Sequence, residues 1–166
     1  MCFPGNINNN NLKLYGLYGS LHSPLDPTYY LPGTSCDWLI TVTEGKIVKL
    51  KFYEFHIKPS AGFSCTADYV EILDGNSSHS DSKRKLCGYG TPEDIRSTGR
   101  YMWVRFRADL YGPPPSDYAG FKATFTAEDK PFLFAGTPTA NNPSGKWTWL
   151  QTKTPHFQLP LSVPLC

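Results

Sequence analysis

Four segments of this chain alternate apolar and polar side chains with a period of two, and that pattern narrows the fold more than any other feature. Val48, Leu50 and Phe52 alternate with Lys49, Lys51 and Tyr53, and Val70 and Ile72 with Tyr69 and Glu71. Met102, Val104 and Phe106 alternate with Trp103, Arg105 and Arg107, and Phe121, Ala123 and Phe125 with Lys122, Thr124 and Thr126. A strand puts successive side chains on opposite faces, so each segment reads as a half-buried antiparallel strand. Glu44-Gly45, Asp74-Gly75-Asn76, Thr98-Gly99 and Gly112-Pro113-Pro114-Pro115 supply turn chemistry between them. No stretch of ten or more residues carries a helical stripe. The expected fold class is therefore all-β, a two-sheet antiparallel β-sandwich of jelly-roll type.

The 166 residues suffice for one ordinary domain. Charged residues are 18% of the chain, below the usual value of about 25%, and the net charge is only +2. That balance excludes a basic nucleic-acid-binding tail and an acidic disordered chain. No apolar run reaches the roughly 18 residues that cross a bilayer as a helix, so no transmembrane segment is expected.

Five cysteines, Cys2, Cys36, Cys65, Cys87 and Cys166, form no Cys-x-x-Cys and no zinc-finger spacing. Disulfides are the better reading, which implies an oxidising, extracellular compartment and leaves one thiol free for an intermolecular bridge. Asn76-Ser77-Ser78 is a glycosylation triplet, whereas Asn142-Pro143-Ser144 is blocked by its proline. Secretion is expected from these features alone, because residues 1–11 show neither the basic start nor the apolar core of a signal peptide. That Asn-rich lead precedes an expected domain at 12–128. Residues 129–166 read as a Pro-rich tail or linker, with Trp147 and Trp149 as its one aromatic feature.

Read together, the motif residues carry a resemblance. They are Cys36-Asp37-Trp38-Leu39-Ile40, Leu50-x-Phe52-x-x-Phe55, Cys65-x-x-Asp68-Tyr69-Val70-Glu71-Ile72-x-Asp74-Gly75, Leu86-Cys87-Gly88, Met102-x-Val104-x-Phe106-x-x-Asp109 and Gly120-Phe121. In that order and spacing, from about Leu12 to Thr126, the chain closely resembles a CUB domain, an extracellular β-sandwich module. The resemblance implies a Cys65–Cys87 bridge. It also implies a bridge from a cysteine near the start to Cys36, for which Cys2 is the candidate, its reach lengthened by the Asn-rich lead. Cys166 is then the odd cysteine.

The resemblance further implies a Ca2+ site at one end of the sandwich, built from three acids. Two of them stand as Asp68 and Asp109, but the third falls on Lys58. An ammonium has no lone pair to ligate a cation, so Lys58 is expected to replace the ion by an internal salt bridge. The alternative is a weakened calcium site completed by Asp117 or Glu54.

Catalysis has no motif behind it. His22, His56, His79 and His156 are scattered, and there is no Gly-x-Ser-x-Gly, no His-Glu-x-x-His and no phosphate-binding glycine loop. The expectation is a secreted, non-catalytic module that binds an extracellular protein or glycan. The alternatives are a structural component of an extracellular, perhaps mineralised, matrix cross-linked through Cys166, and a fragment of a larger CUB-containing protease or receptor. Candidate contact residues are the tyrosines Tyr29, Tyr30, Tyr89 and Tyr111 in expected loops. Lys46, Lys49, Lys51, Lys58 and the run Lys83-Arg84-Lys85 form a candidate anionic-glycan patch, set against a plain solvated strand face.

Overall fold

The computed structural model describes residues 11–24, 30–59, 64–110 and 119–131. Its contacts divide the chain into a unit from Met1 to Phe132 and a second from Leu133 to Cys166. The expectations for Cys2, Tyr29, Tyr111, Asp117, Trp147, Trp149 and Cys166 lie outside the described residues.

The described residues hold ten strands and no helix. They are β1 (Asn11–Tyr15), β2 (Tyr18–His22), β3 (Ser35–Thr41), β4 (Lys46–Ile57), β5 (Tyr69–Leu73), β6 (Ser82–Leu86), β7 (Gly88–Tyr89), β8 (Ile95–Arg96), β9 (Tyr101–Arg107) and β10 (Gly120–Asp129). One sheet runs β1-β3-β9-β5-β6 and the other β2-β10-β4-β7, with β8 also paired to β4. All pairings are antiparallel except β1 with β3. The chain is thus the two-sheet β-sandwich that the alternation demands.

The period-two faces meet in the core. Val48, Leu50 and Phe52 of β4 are buried with Met102, Val104 and Phe106 of β9, Val70 and Ile72 of β5, and Phe121, Ala123 and Phe125 of β10. Edge-to-face ring contacts lock the layers: Trp38 with Phe121 at 5.7 Å between centroids, and Phe106 with Phe121 at 5.8 Å. Near its end β4 breaks the alternation. Ala123 pairs with Phe52 but Lys122 with Glu54, so Tyr53 has no residue opposite it. This bulge turns both Phe52 and Phe55 inward although they are three residues apart, and their rings meet at 5.3 Å. The Phe-x-x-Phe spacing is the sequence trace of that bulge.

The polar face of the first sheet is also organised. Asp37 on β3 accepts hydrogen bonds from Trp103 Nε1 (2.8 Å), Arg105 Nε (3.3 Å) and Arg107 (2.7 Å) on β9, and Arg105 reaches Glu71 on β5 (3.2 Å). Trp103, expected on the amphipathic face, is buried there because its indole N–H finds this carboxylate.

Candidate functional site

One end of the sandwich gathers the points where β4 leaves at Ile57, β3 enters at Ser35, β9 leaves at Arg107 and β5 enters at Tyr69. Backbone bonds tie these connections together. Gly33 N–H donates to Asp109 O (2.7 Å) and Ala108 N–H to Thr34 O (2.9 Å). Lys58, Asp68 and Asp109, distant in sequence, converge here.

Asp68 is the centre of this end. It is 3% exposed, and both carboxylate oxygens are engaged: Tyr30 donates its hydroxyl to Oδ2 at 2.6 Å, and the Asp109 N–H donates to Oδ1 at 2.8 Å. A buried carboxylate is tolerable only with such partners. The Tyr30 oxygen in turn accepts the Lys58 N–H at 3.0 Å, so one phenol links the ends of two strands. Lys58 Nζ stands 3.7 Å from Asp109 Oδ1, with both side chains about one-third exposed.

Tyr30 departs from the expected exposed loop position: it is 1% exposed, its ring packed edge-on to Phe106 at 5.1 Å and its hydroxyl inside the site. Nothing in the local sequence marks it, since the strand alternation does not extend through Tyr30-Leu31-Pro32-Gly33. Tyr89 does sit on the surface, against the His56 ring at 5.9 Å.

The described residues do not fit a calcium ion. Such an ion takes six to eight oxygens, several of them carboxylate. Here only two of the three acids that the resemblance implies are present, and the third acidic position carries the Lys58 ammonium, which has no lone pair to give. No group of three or more His, Cys, Asp or Glu residues suited to a metal occurs among the described residues. Glu54, the alternative acid, pairs with Lys122 at 2.8 Å on the exposed face of the second sheet.

The remaining candidates fall elsewhere. Cys65 and Cys87 are joined, with Cα atoms 5.6 Å apart. Cys36 is fully buried and disulfide-bonded. Asn76 is exposed in the turn between β5 and β6. The basic residues do not form one patch. Lys46 pairs with Asp129, Lys49 with Asp94 and Glu128, Lys58 with Asp109, and Lys83 with Asp74. The first two lie on the second sheet, Lys58 at the site end, and Lys83 on the edge strand β6 of the first sheet. Alternation had also missed the exposed group Tyr15, Leu17 and Tyr18 at the opposite end, of which Tyr18 is 80% exposed.

A disulfide-stapled β-sandwich, with a buried aspartate and its tyrosine partner joining three chain connections at one end, defines a class of β-sandwich module. Within that class, the CUB domain profile matches residues 11–125, and the chain belongs to the CUB domain family. Human Tolloid-like protein 1 is 40% identical over 111 residues, covering 67% of this chain and 10% of that protein. Rat cubilin is 33% identical over 148 residues, 81% of this chain and 4% of cubilin. The chain thus spans about a tenth or less of the length of these curated relatives. Among solved structures, the CUB1-EGF-CUB2 domain of human MASP-1/3 aligns with a TM-score of 0.60 at 28% identity, over 69% of this chain and 42% of that one. The CUB2 domain of MASP-1 bound to Ca2+ aligns at 0.59 and 26% identity, over 69% of this chain and 96% of that one. The chain is thus a CUB domain, a module it shares with Tolloid-like protein 1, cubilin and MASP-1.

Proposed function

We propose that the chain is a secreted, non-catalytic CUB module that binds another extracellular protein through the connections at the Asp68 end, and that this end is held together without a cation. One observation carries the reading: Lys58 occupies the third acidic position and faces Asp109 at 3.7 Å, beside an Asp68 whose oxygens each accept one hydrogen bond, from Tyr30 and from the Asp109 amide. The positive charge that orders this end is supplied by the chain itself. The similar MASP-1 CUB2 domain is bound to Ca2+, and Lys58 supports the departure from that state in this chain. Cys2 is the proposed partner of Cys36, and Asn76, exposed on a turn away from the Asp68 end, is the proposed glycan site, read as a mobility shift on N-glycosidase treatment.

The test is thermal unfolding of the oxidised chain, and its capture of partners from extracellular extract, in chelator and in millimolar Ca2+. The expected result is the same unfolding midpoint and the same captured proteins in both, with Lys58→Glu alone acquiring a midpoint that rises with Ca2+. A calcium-dependent midpoint in the unaltered chain would overturn the cation-free reading. Loss of all capture in both conditions would overturn the interaction reading.

A second reading rests on coverage. The chain spans 10% of Tolloid-like protein 1, so it is also the length of one module within a longer protease or receptor. A longer transcript in frame with this sequence would establish it, and its absence from full transcript sets would remove it.

A further inference from the structure

Among the described residues β6 closes one edge of the first sheet and pairs on one side only, with β5. An edge strand turns alternate N–H and C=O groups outward, unpaired by its own sheet. In β6 that edge is basic: Ser82-Lys83-Arg84-Lys85-Leu86, exposed at its first four positions. Beside it runs a groove of about 350 Å³, walled by Arg84 on β6 and Arg96 on β8, with Leu86, Pro92 and Ile95 supplying apolar surface.

The charges sort by their existing partners. Lys83 is bonded to Asp74 at 2.8 Å and Arg96 to Glu128 at 2.8 Å. Arg84 and Lys85 have no ion pair among the described residues, and Lys85 Nζ lies over the Tyr69 ring at 3.9 Å. Arg84 pairs in register with Ile72, whose side chain is in the core, so Arg84 takes the groove side, and Lys85, opposite Glu71, takes the outer side. The strand therefore offers one uncompensated cation on each face and a backbone edge between them.

We infer that β6 receives an extended acidic peptide segment of a partner protein as an added strand. The peptide backbone pairs with the β6 edge, one acidic side chain meets Arg84 in the groove, and its neighbour, facing the opposite way, meets Lys85. Backbone pairing supplies affinity and the two cations select acidic sequence. A sulfated glycan fits less well, because it has no peptide backbone to pair with the β6 edge, and Glu93 and Asp94, which line the groove, disfavour any anion beyond the one side chain that meets Arg84. Edge lysines in many sheets only prevent promiscuous pairing, which the test must separate from reception of a strand. This inference concerns a surface other than the Asp68 end and stands or falls without it.

The probe is a labelled seven-residue peptide alternating glutamate and threonine, titrated into the full oxidised chain and read by fluorescence anisotropy, with hydrogen exchange of residues 82–86 in parallel. Saturable binding is expected, with slower exchange in β6 and affinity that falls as salt rises. Arg84→Glu and Lys85→Glu, both at exposed positions, should each weaken it about tenfold, and far-ultraviolet circular dichroism checks that the fold is kept. The same peptide with alternate backbone nitrogens methylated keeps its charge but loses donors, and should bind at least about tenfold more weakly. Equal binding of the methylated peptide would overturn strand addition. So would no saturation at millimolar peptide, or tighter binding of a heparin oligosaccharide with unchanged β6 exchange.

Discussion

Tyr30 does three things with one ring: it fills core volume against Phe106, donates to Asp68 and accepts from the Lys58 amide. Tyr30→Phe keeps the packing and removes both hydrogen bonds, leaving a buried carboxylate oxygen and a backbone N–H without their phenol partner. The expected cost is about 2 kcal/mol, read as a lower urea midpoint at unchanged m-value. At the other end of the sandwich, burial pushes the Asp74 carboxyl up, but Lys83 Nζ and the Thr98 N–H outweigh it and hold the group below its ordinary range. Glu128 is likewise held low, chiefly by the Arg96 guanidinium, against an upward push from burial, with Lys49 adding to the lowering. A carboxyl depressed by folding stabilises the native state above its unfolded pKa, near 4, and that contribution is lost as pH falls through the lower folded value. The unfolding midpoint should therefore drop steadily below about pH 4, and Asp74→Asn, which keeps an acceptor for Thr98, should flatten part of that slope. An unchanged acid limb in the variant would show that Asp74 is not among the groups responsible.

The long central strands were legible because both of their faces are committed: β4, β5, β9 and β10 bury one side in the core, which forces alternation into the sequence. The edges were not. β6 reads Ser-Lys-Arg-Lys-Leu, and its strand conformation comes from pairing with β5 rather than from any pattern of its own. The two-residue strands β7 and β8 exist only where the chain passes beside β4. β10 shows how an element start is fixed by a single residue. Gly120 has φ +82°, and a β-carbon there would run into the Ser23 hydroxyl, which itself accepts the Phe121 N–H at 3.1 Å. Gly120→Ala should cost about 2 kcal/mol in equilibrium unfolding. Gly→Ala at Gly99, whose β-carbon would meet nothing within 4 Å, is the control and should change the midpoint little.

For the whole molecule, the Cys65–Cys87 bridge spans 22 residues, from the approach to Asp68 to the far end of β6. In the chain-entropy account a loop of that size is worth about 3 kcal/mol, a large fraction of a small domain's stability. Replacing both cysteines by alanine should lower stability by roughly that amount in chemical denaturation. Stability kept within error would show that the remaining contacts alone hold the loop. The sequence by itself determined the sandwich, because alternation with a period of two leaves apolar faces that only a second sheet can cover. Its motif spacing also identified the CUB family and brought Lys58, Asp68 and Asp109 under suspicion as a group. The tertiary structure alone decided that Tyr30 belongs to that group and that each Asp68 oxygen accepts a hydrogen bond. It also decided that the basic residues are distributed among separate surfaces, with Arg84 and Lys85 of β6 outside any ion pair among the described residues. The physical reason is the same in each case: hydrogen bonds and ion pairs are satisfied by whichever groups the fold brings within about 3 Å, and those partners lie tens of residues away in the chain.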